Sequence, residues 1–236
     1  MSKSPLKLRE NNECISVVIP AAGMGRRMKS YGPKPLIKIG NSTIIKNQIS
    51  LLHTHIPECD IILVCGFQSN TLMESTPNDI AKVENEKYAE TNVARSIGIG
   101  LRVAQKCSKV IIVYGDLVFN SATLKNIDTQ QSAIIVTNDK MGADEVGCII
   151  DSNNQLINLM YDLPIKWGQI SLFVNKELEL LKTLCWDEKN YKRFGFEIIN
   201  EIIQQGGKFQ CIRNKNIKII DIDNSKDIQK AKEILL

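Results

Sequence analysis

Apolar positions along the chain fall into two rhythms. Runs rich in β-branched residues at 15–19, 59–65 and 109–114 have the length and composition of buried strands. Between them, Ile44, Ile45, Ile49, Leu51 and Leu52 mark one face of a helix that Ser42 or Thr43 can cap. Ile97, Leu101 and Ala104 mark another, behind Thr91 or Asn92. A weaker helix over 70–74 and a short strand near 82–84 complete the alternation. The pattern predicts an α/β fold: a doubly wound, mainly parallel mixed sheet flanked by helices. Ligands of such sheets gather at the carboxyl ends of the strands.

The rhythm changes after a helix expected around 122–127. A strand over 132–137 precedes a hairpin of 145–150 and 156–160, turning at Asp151-Ser152-Asn153-Asn154. Residues 161–168 read as a connection to a strand over 169–174. Helices over 177–184 and 194–205 follow, the second stopped by Gly206-Gly207, and serve as scaffold or oligomer contacts. A strand from 217 places Asp221 and Asp223 on one face by its two-residue period. Asn224 or Ser225 then caps a last helix carrying Ile228, Ala231, Ile234 and Leu235. No repeat or linker interrupts this order, so residues 14–236 are expected to form one domain behind a polar, flexible arm, 1–13.

Composition narrows the classes. The 236 residues suffice for one substantial core, and 30 basic against 26 acidic side chains leave a net charge of +4. That balance is too mild for nucleic acid binding and suits phosphate ligands. Seven cysteines are odd in number, scattered, and without a C-x-x-C pair, which argues against zinc and a disulfide framework. They are expected to be reduced core residues of a cytoplasmic protein. The first thirteen residues lack the apolar segment of a signal peptide, and no run approaches the roughly 18 apolar residues that span a bilayer. The two histidines, His53 and His55, have a spacing that suits neither a metal pair on one helix face nor a catalytic group.

Chemistry concentrates after the first strand. Pro20, Ala21, Ala22, Gly23, Met24 and Gly25 bring small residues and flexible backbone to its carboxyl end. Successive amides there can converge on an anion. Arg26, Arg27 and Lys34 add positive charge, a combination suited to a polyphosphate. The dinucleotide fingerprint is broken by Met28 and the Walker pattern is absent. A second carboxyl end carries Gly115-Asp116, where a rigidly held carboxylate is a hard ligand suited to Mg²⁺.

Ala21-Ala22-Gly23-x-Gly25-x-Arg27-Met28, followed by Pro33-Lys34-x-Leu36, resembles the signature loop of GT-A-like nucleotidyltransferases. The closing Ile222-Asp223-Asn224-x-x-Asp227-Ile228 is similar to that of small cytidylyltransferases of the phosphocholine and aminophosphonate type. The sugar-type closing motif is missing. The resemblance implies a nucleotide half over about 14–130 and an acceptor half over about 131–236. It implies backbone amides of Ala21 to Gly25, with Arg26, on the nucleotide, and Arg27 and Lys34 as the catalytic cations. Asn92 and Ser96 would lie beside base and ribose. Asp116 and Asp223, with Asp221 as the alternative to Asp223, would hold Mg²⁺. Lys166 would neutralise the acceptor's phosphate, Trp167 would wall its pocket, and Glu145 with Asp144 would meet a cationic group. The implied partners are a nucleoside triphosphate, CTP in first place, and a small phosphorylated acceptor, with neither nucleic acid nor membrane. A homo-oligomer is compatible with this reading. A sugar-1-phosphate enzyme and a non-catalytic nucleotide-binding subunit are the alternatives.

Overall fold

The computed structural model describes residues 14–25, 32–125, 127, 130–139, 141–142 and 144–235. In chain order, β1 (Ile15–Pro20) leads through the signature loop to a 3-10 turn (Lys34–Leu36) and a small hairpin, β2 (Lys38–Ile39) and β3 (Ser42–Thr43). Thr43 caps α1 (Ile44–His55), its side chain accepting from the Lys46 amide. β4 (Asp60–Cys65), α2 (Ser69–Glu74), β5 (Ala81–Glu84), α3 (Val93–Val103) and β6 (Lys109–Val113) continue the alternation. Then come β7 (Leu117–Phe119), β8 (Ala133–Thr137), β9 (Val146–Ile150), β10 (Leu156–Tyr161) and β11 (Ile165–Val174). The chain ends in α4 (Asn175–Trp186), α5 (Gly195–Gln204), β12 (Gln210–Arg213), β13 (Ile219–Asp221) and α6 (Ser225–Leu235).

A nine-stranded sheet organises these elements. β5, β4, β1 and β6 lie side by side and all run parallel. β11 then joins β6 antiparallel and also pairs with β8 and β9, so one ten-residue strand ties both halves together. Alternation along the strands feeds two cores. Val17, Ile19, Ile61, Leu63, Ile111 and Val113 face Ile45, Ile49 and Leu52 of α1. Val18, Ile62, Val64, Val110 and Ile112 face Ala94, Ile97 and Leu101 of α3, with α4 and α5 behind them. The sheet is therefore mixed and covered by helices on both sides. No helix among the described residues is long and apolar enough to cross a membrane.

Four expectations are corrected. Cys14 and Cys107 form a disulfide across 93 residues of sequence. The parallel register of β1 on β6 (Ile15 opposite Lys109) puts the residues just before each strand together, which spacing alone hides. Residues 165–168 belong to β11, so Lys166 and Trp167 stand on a strand rather than in a loop. The helix expected around 122–127 is only a 3-10 turn, Ser121–Thr123, because Asn120 does not cap it. That side chain instead bonds the Asn216 carbonyl and the Lys218 amide. β13 stops at Asp221, since Asp227 accepts from the amides of Asp223 and Asn224 and bends the chain into α6. Asp221 and Asp223 consequently meet different partners.

Candidate active site

The segments that follow β1, β5 and β6 at their carboxyl ends, with the start of α3, surround a cavity of about 210 Å³. Its floor is the signature loop, pinned from both sides: the Ala21 amide donates to the Val64 carbonyl at 2.9 Å and the Gly115 amide to the Pro20 carbonyl at 3.2 Å. Ala21, Ala22, Gly23, Gly25 and Lys34 line it, with Asn92 and Ser96 opposite. Met24 is not among its walls. Gly25 has φ +54°, and a Cβ there would press on the Lys34 stem at 3.1 Å, so glycine allows the loop to lie against this lysine. Arg26 and Arg27 lie outside the described residues, as does the arm 1–13.

The lysine connects the loop to the carboxylates. Lys34 Nζ lies 3.1 Å from Asp116 Oδ2 and 2.6 Å from Asp223 Oδ1. Asp116 follows β6, Asp223 follows β13, and pairing of β7 with β13 brings the two segments together. The Ile222 amide donates to the Asp116 carbonyl at 3.1 Å and sets their spacing. Gln48 holds the other side of this turn. Its amide Nε2 donates to the carbonyls of Tyr114 and Leu117 at 2.9 and 2.7 Å.

A second lysine anchors a second pair of acids. Lys166 Nζ touches Glu145 Oε1 and lies 3.2 Å from Asp221 Oδ1. Four carboxylates and two ammonium groups thus meet among the described residues. Burial pushes the Asp116 carboxyl above the ordinary range. Lys34 pulls it back without cancelling the rise, to which Asp221 and Asp223 add. For Lys34 the balance is opposite: burial lowers its pKa, but Asp116 and Asp223 outweigh that and raise it. Burial likewise opposes the charge on Lys166, and Asp221 and Glu145 overcome it. Asp221 is held below the ordinary carboxylate range despite burial, by Lys166 and by hydrogen bonding with Glu145. Asp116 and Asp223 already converge on one cationic atom, so this oxygen donor set fits a hard divalent cation.

Beyond Asp116 the cleft opens into a cavity of about 610 Å³ that also contains Asn92, Val93 and Tyr114. Its walls are acidic and aromatic: Asp144, Glu145, Asp221 and Asp223 on one side, Tyr161, Trp167, Phe194 and Phe196 on another. Tyr161 packs edge-on against Phe196 with centroids 5.5 Å apart, and Phe194 stacks on Phe196 at 5.9 Å. Lys166 does not face this space; it lines a third cavity between β13 and α6. Arg95 is half-buried; its guanidinium lies 4.3 Å over the Tyr191 ring and donates to the Tyr191 hydroxyl at 2.8 Å.

The structure brings Asp116, Asp223, Lys34 and the glycine loop together, and groups Asp221 with Glu145 and Lys166. Sequence reasoning missed Asn85, Tyr88, Gln48, Tyr161, Phe194 and Phe196. Asn85 stands directly after β5, so the rule of strand carboxyl ends, applied to that short strand, would have found it. Gln48 is a polar residue on an otherwise apolar helix face, which was a usable signal. The aromatic trio had none, because its members come from two distant elements.

Comparison with known proteins places these features. The chain is 25% identical over 229 residues to the bifunctional protein GlmU of Buchnera aphidicola subsp. Schizaphis graminum, covering 91% of this chain and 47% of that protein. It is 29% identical over 168 residues to GlmU of Francisella philomiragia, covering 69% and 33%. The chain spans about half the length of the first of these relatives and a third of the second. The fold is similar to that of CTP:phosphocholine cytidylyltransferase (LicC) from Streptococcus pneumoniae, with TM-score 0.76, 18% identity and coverage of 94% and 99%. It is also similar to the inositol-1-phosphate CTP transferase of T. maritima, with TM-score 0.73, 15% identity and coverage of 97% and 100%. A putative glucose-1-phosphate thymidylyltransferase of Bacillus anthracis shares it too, with TM-score 0.74, 12% identity and coverage of 93% and 94%. The MobA-like NTP transferase domain matches residues 17–202, and the chain belongs to that nucleotidyltransferase family.

Proposed function

We propose that this protein transfers a nucleotidyl group, CMP from CTP, to a small phosphorylated acceptor that carries a positive charge, with release of pyrophosphate. One observation carries the reading. Asp116 lines both the cavity behind the glycine loop and the aromatic, acidic one, and Lys34 links it to Asp223 on the wall of the second. A triphosphate lying on the loop would place its α-phosphorus at that junction, within reach of an acceptor on the other side. The acceptor's phosphate oxygen is ionised near neutral pH, so the attack needs no general base. The loop amides hold the triphosphate, and Lys34 moves from the carboxylates to the phosphates as charge accumulates. Asp116 and Asp223 would hold Mg²⁺. Bound there, Mg²⁺ neutralises phosphate charge. Asp144 and Glu145, with the rings of Tyr161, Trp167, Phe194 and Phe196, suit an alkylammonium group on the acceptor. The fold shared with two CTP-named transferases supports CTP, and the missing sugar-type motif supports a non-sugar acceptor.

The test is pyrophosphate release with equal CTP, UTP, dTTP, ATP and GTP, with phosphocholine-like amino-alcohol phosphates set against sugar 1-phosphates. CTP with a cationic phosphate should give the highest kcat/KM. UTP or dTTP with a sugar phosphate would replace this reading by a sugar-1-phosphate one, the class named in the Bacillus anthracis neighbour. Asp116→Asn and Asp223→Asn should each retain the fold and lower kcat by orders of magnitude, since each removes charge from the junction. Wild-type turnover by Asp223→Asn would move its role to Asp221.

A further inference from the structure

The wall of the nucleotide cavity holds a hydrogen-bond relay whose direction is fixed. Asn85, 2% exposed, has its backbone locked by donation to the Cys65 carbonyl at 2.8 Å. The Lys87 amide donates to Asn85 Oδ1 at 3.2 Å, which turns the amide nitrogen the other way. That nitrogen donates to Thr91 Oγ1 at 3.1 Å and to Ser96 Oγ at 3.2 Å. Thr91 spends its hydroxyl proton on the Lys87 carbonyl at 2.7 Å. Ser96 receives a hydrogen bond at its oxygen and has no acceptor for its proton among the described residues, although only 4% of its surface is exposed. It lines the cavity, so the wall offers a buried donor.

We propose that Asn85 is a positioning residue for base selection: it holds Ser96 so that the hydroxyl donates into the cavity, toward an acceptor on the base. This rests on reading the cavity as the nucleotide pocket. The atom that discriminates is ring position 3, a bare nitrogen acceptor in cytosine and an N–H donor in uracil. Against UTP the Ser96 hydroxyl must turn to accept from the ring N–H, which leaves its own proton unmet, and a site built to donate rejects a partner that cannot accept.

Calorimetric binding of CTP and UTP without acceptor reads the effect independently of turnover. The wild type should favour CTP roughly ten- to a hundredfold, the range that one unmet buried polar group produces. Asn85→Asp turns the Ser96 proton back toward the new carboxylate and should bring the ratio to parity or invert it. Ser96→Ala should lose the preference, and adding Asn85→Asp to it should change the ratio no further, because one residue acts through the other. Additive losses, or an unchanged ratio in Asn85→Asp, would overturn the proposal, as would a wild type that binds both nucleotides alike. Should Asn85→Asp not fold, 3-deaza-CTP tests the same contact in the unaltered protein. It lacks the acceptor at position 3 and should bind as weakly as UTP; binding equal to that of CTP sinks the inference. Pyrophosphate release from CTP alongside such equal binding removes only the Asn85 assignment, whereas a protein that binds no triphosphate fails both readings.

Discussion

Trp167 separates a packing role from a binding role at the level of one atom. Its ring is 4% exposed and rests edge-on against Tyr114 with centroids 5.8 Å apart, while its indole N–H has no partner among the described residues. A buried donor left unmet costs about 1–3 kcal/mol. Trp167→Phe removes that donor and keeps an aromatic wall in the cavity proposed for the acceptor. If the N–H serves an oxygen of the acceptor, the KM for acceptor should rise about tenfold while the KM for nucleotide holds. The lost ring area and the removed orphan donor offset each other, so Tm should shift by no more than a few degrees. A fall in Tm with unchanged acceptor KM would leave Trp167 a packing residue.

The elements show why some of the site was legible and the rest was not. A strand ending in a glycine turn, and another ending in Gly115-Asp116, are local patterns, and both stand at the cleft. The closing aspartate segment was also local, yet its partner was not. Only the pairing of β7 with β13 carries Asp223 to Lys34 across 189 residues. Lys166 was misplaced for a similar reason. Its strand begins four residues early because it borrows register from β8 and β9, and no periodicity in residues 161–168 reveals those neighbours. The disulfide likewise depends on which strands adjoin. Gln48 joins helix to site, and Gln48→Leu tests that link. It leaves the Tyr114 and Leu117 carbonyls without their donor, at about 1–3 kcal/mol for each buried group left unmet. Besides a lower Tm, kcat should fall more than tenfold as Asp116 loses its fixed turn. Turnover at the wild-type rate with a lowered Tm would confine Gln48 to stability.

At the scale of the molecule, the two halves differ in strand direction but share their sheet and both of its cores. β11 joins β6 antiparallel, and the buried faces of Val18, Ile62 and Ile112 belong to the same cluster as Leu181, Ile198 and Ile202. Dividing the chain near 130 would strip β6 of one of its two partner strands and expose that cluster, a loss too large for either part to absorb. The two tryptophans report on the seam itself. Trp186 donates its indole N–H to the Gly98 carbonyl at 3.1 Å, and Trp167 packs on Tyr114, each reaching from the second half to the first. We therefore expect one cooperative transition in urea. Far-UV circular dichroism, which follows helices of both halves, should share its midpoint with tryptophan fluorescence, which follows the contact between them. A fragment of residues 14–130 should remain unfolded under conditions where the whole chain is native. Fluorescence changing at lower urea than ellipticity would mean that the halves part before they unfold, and would make them separate domains.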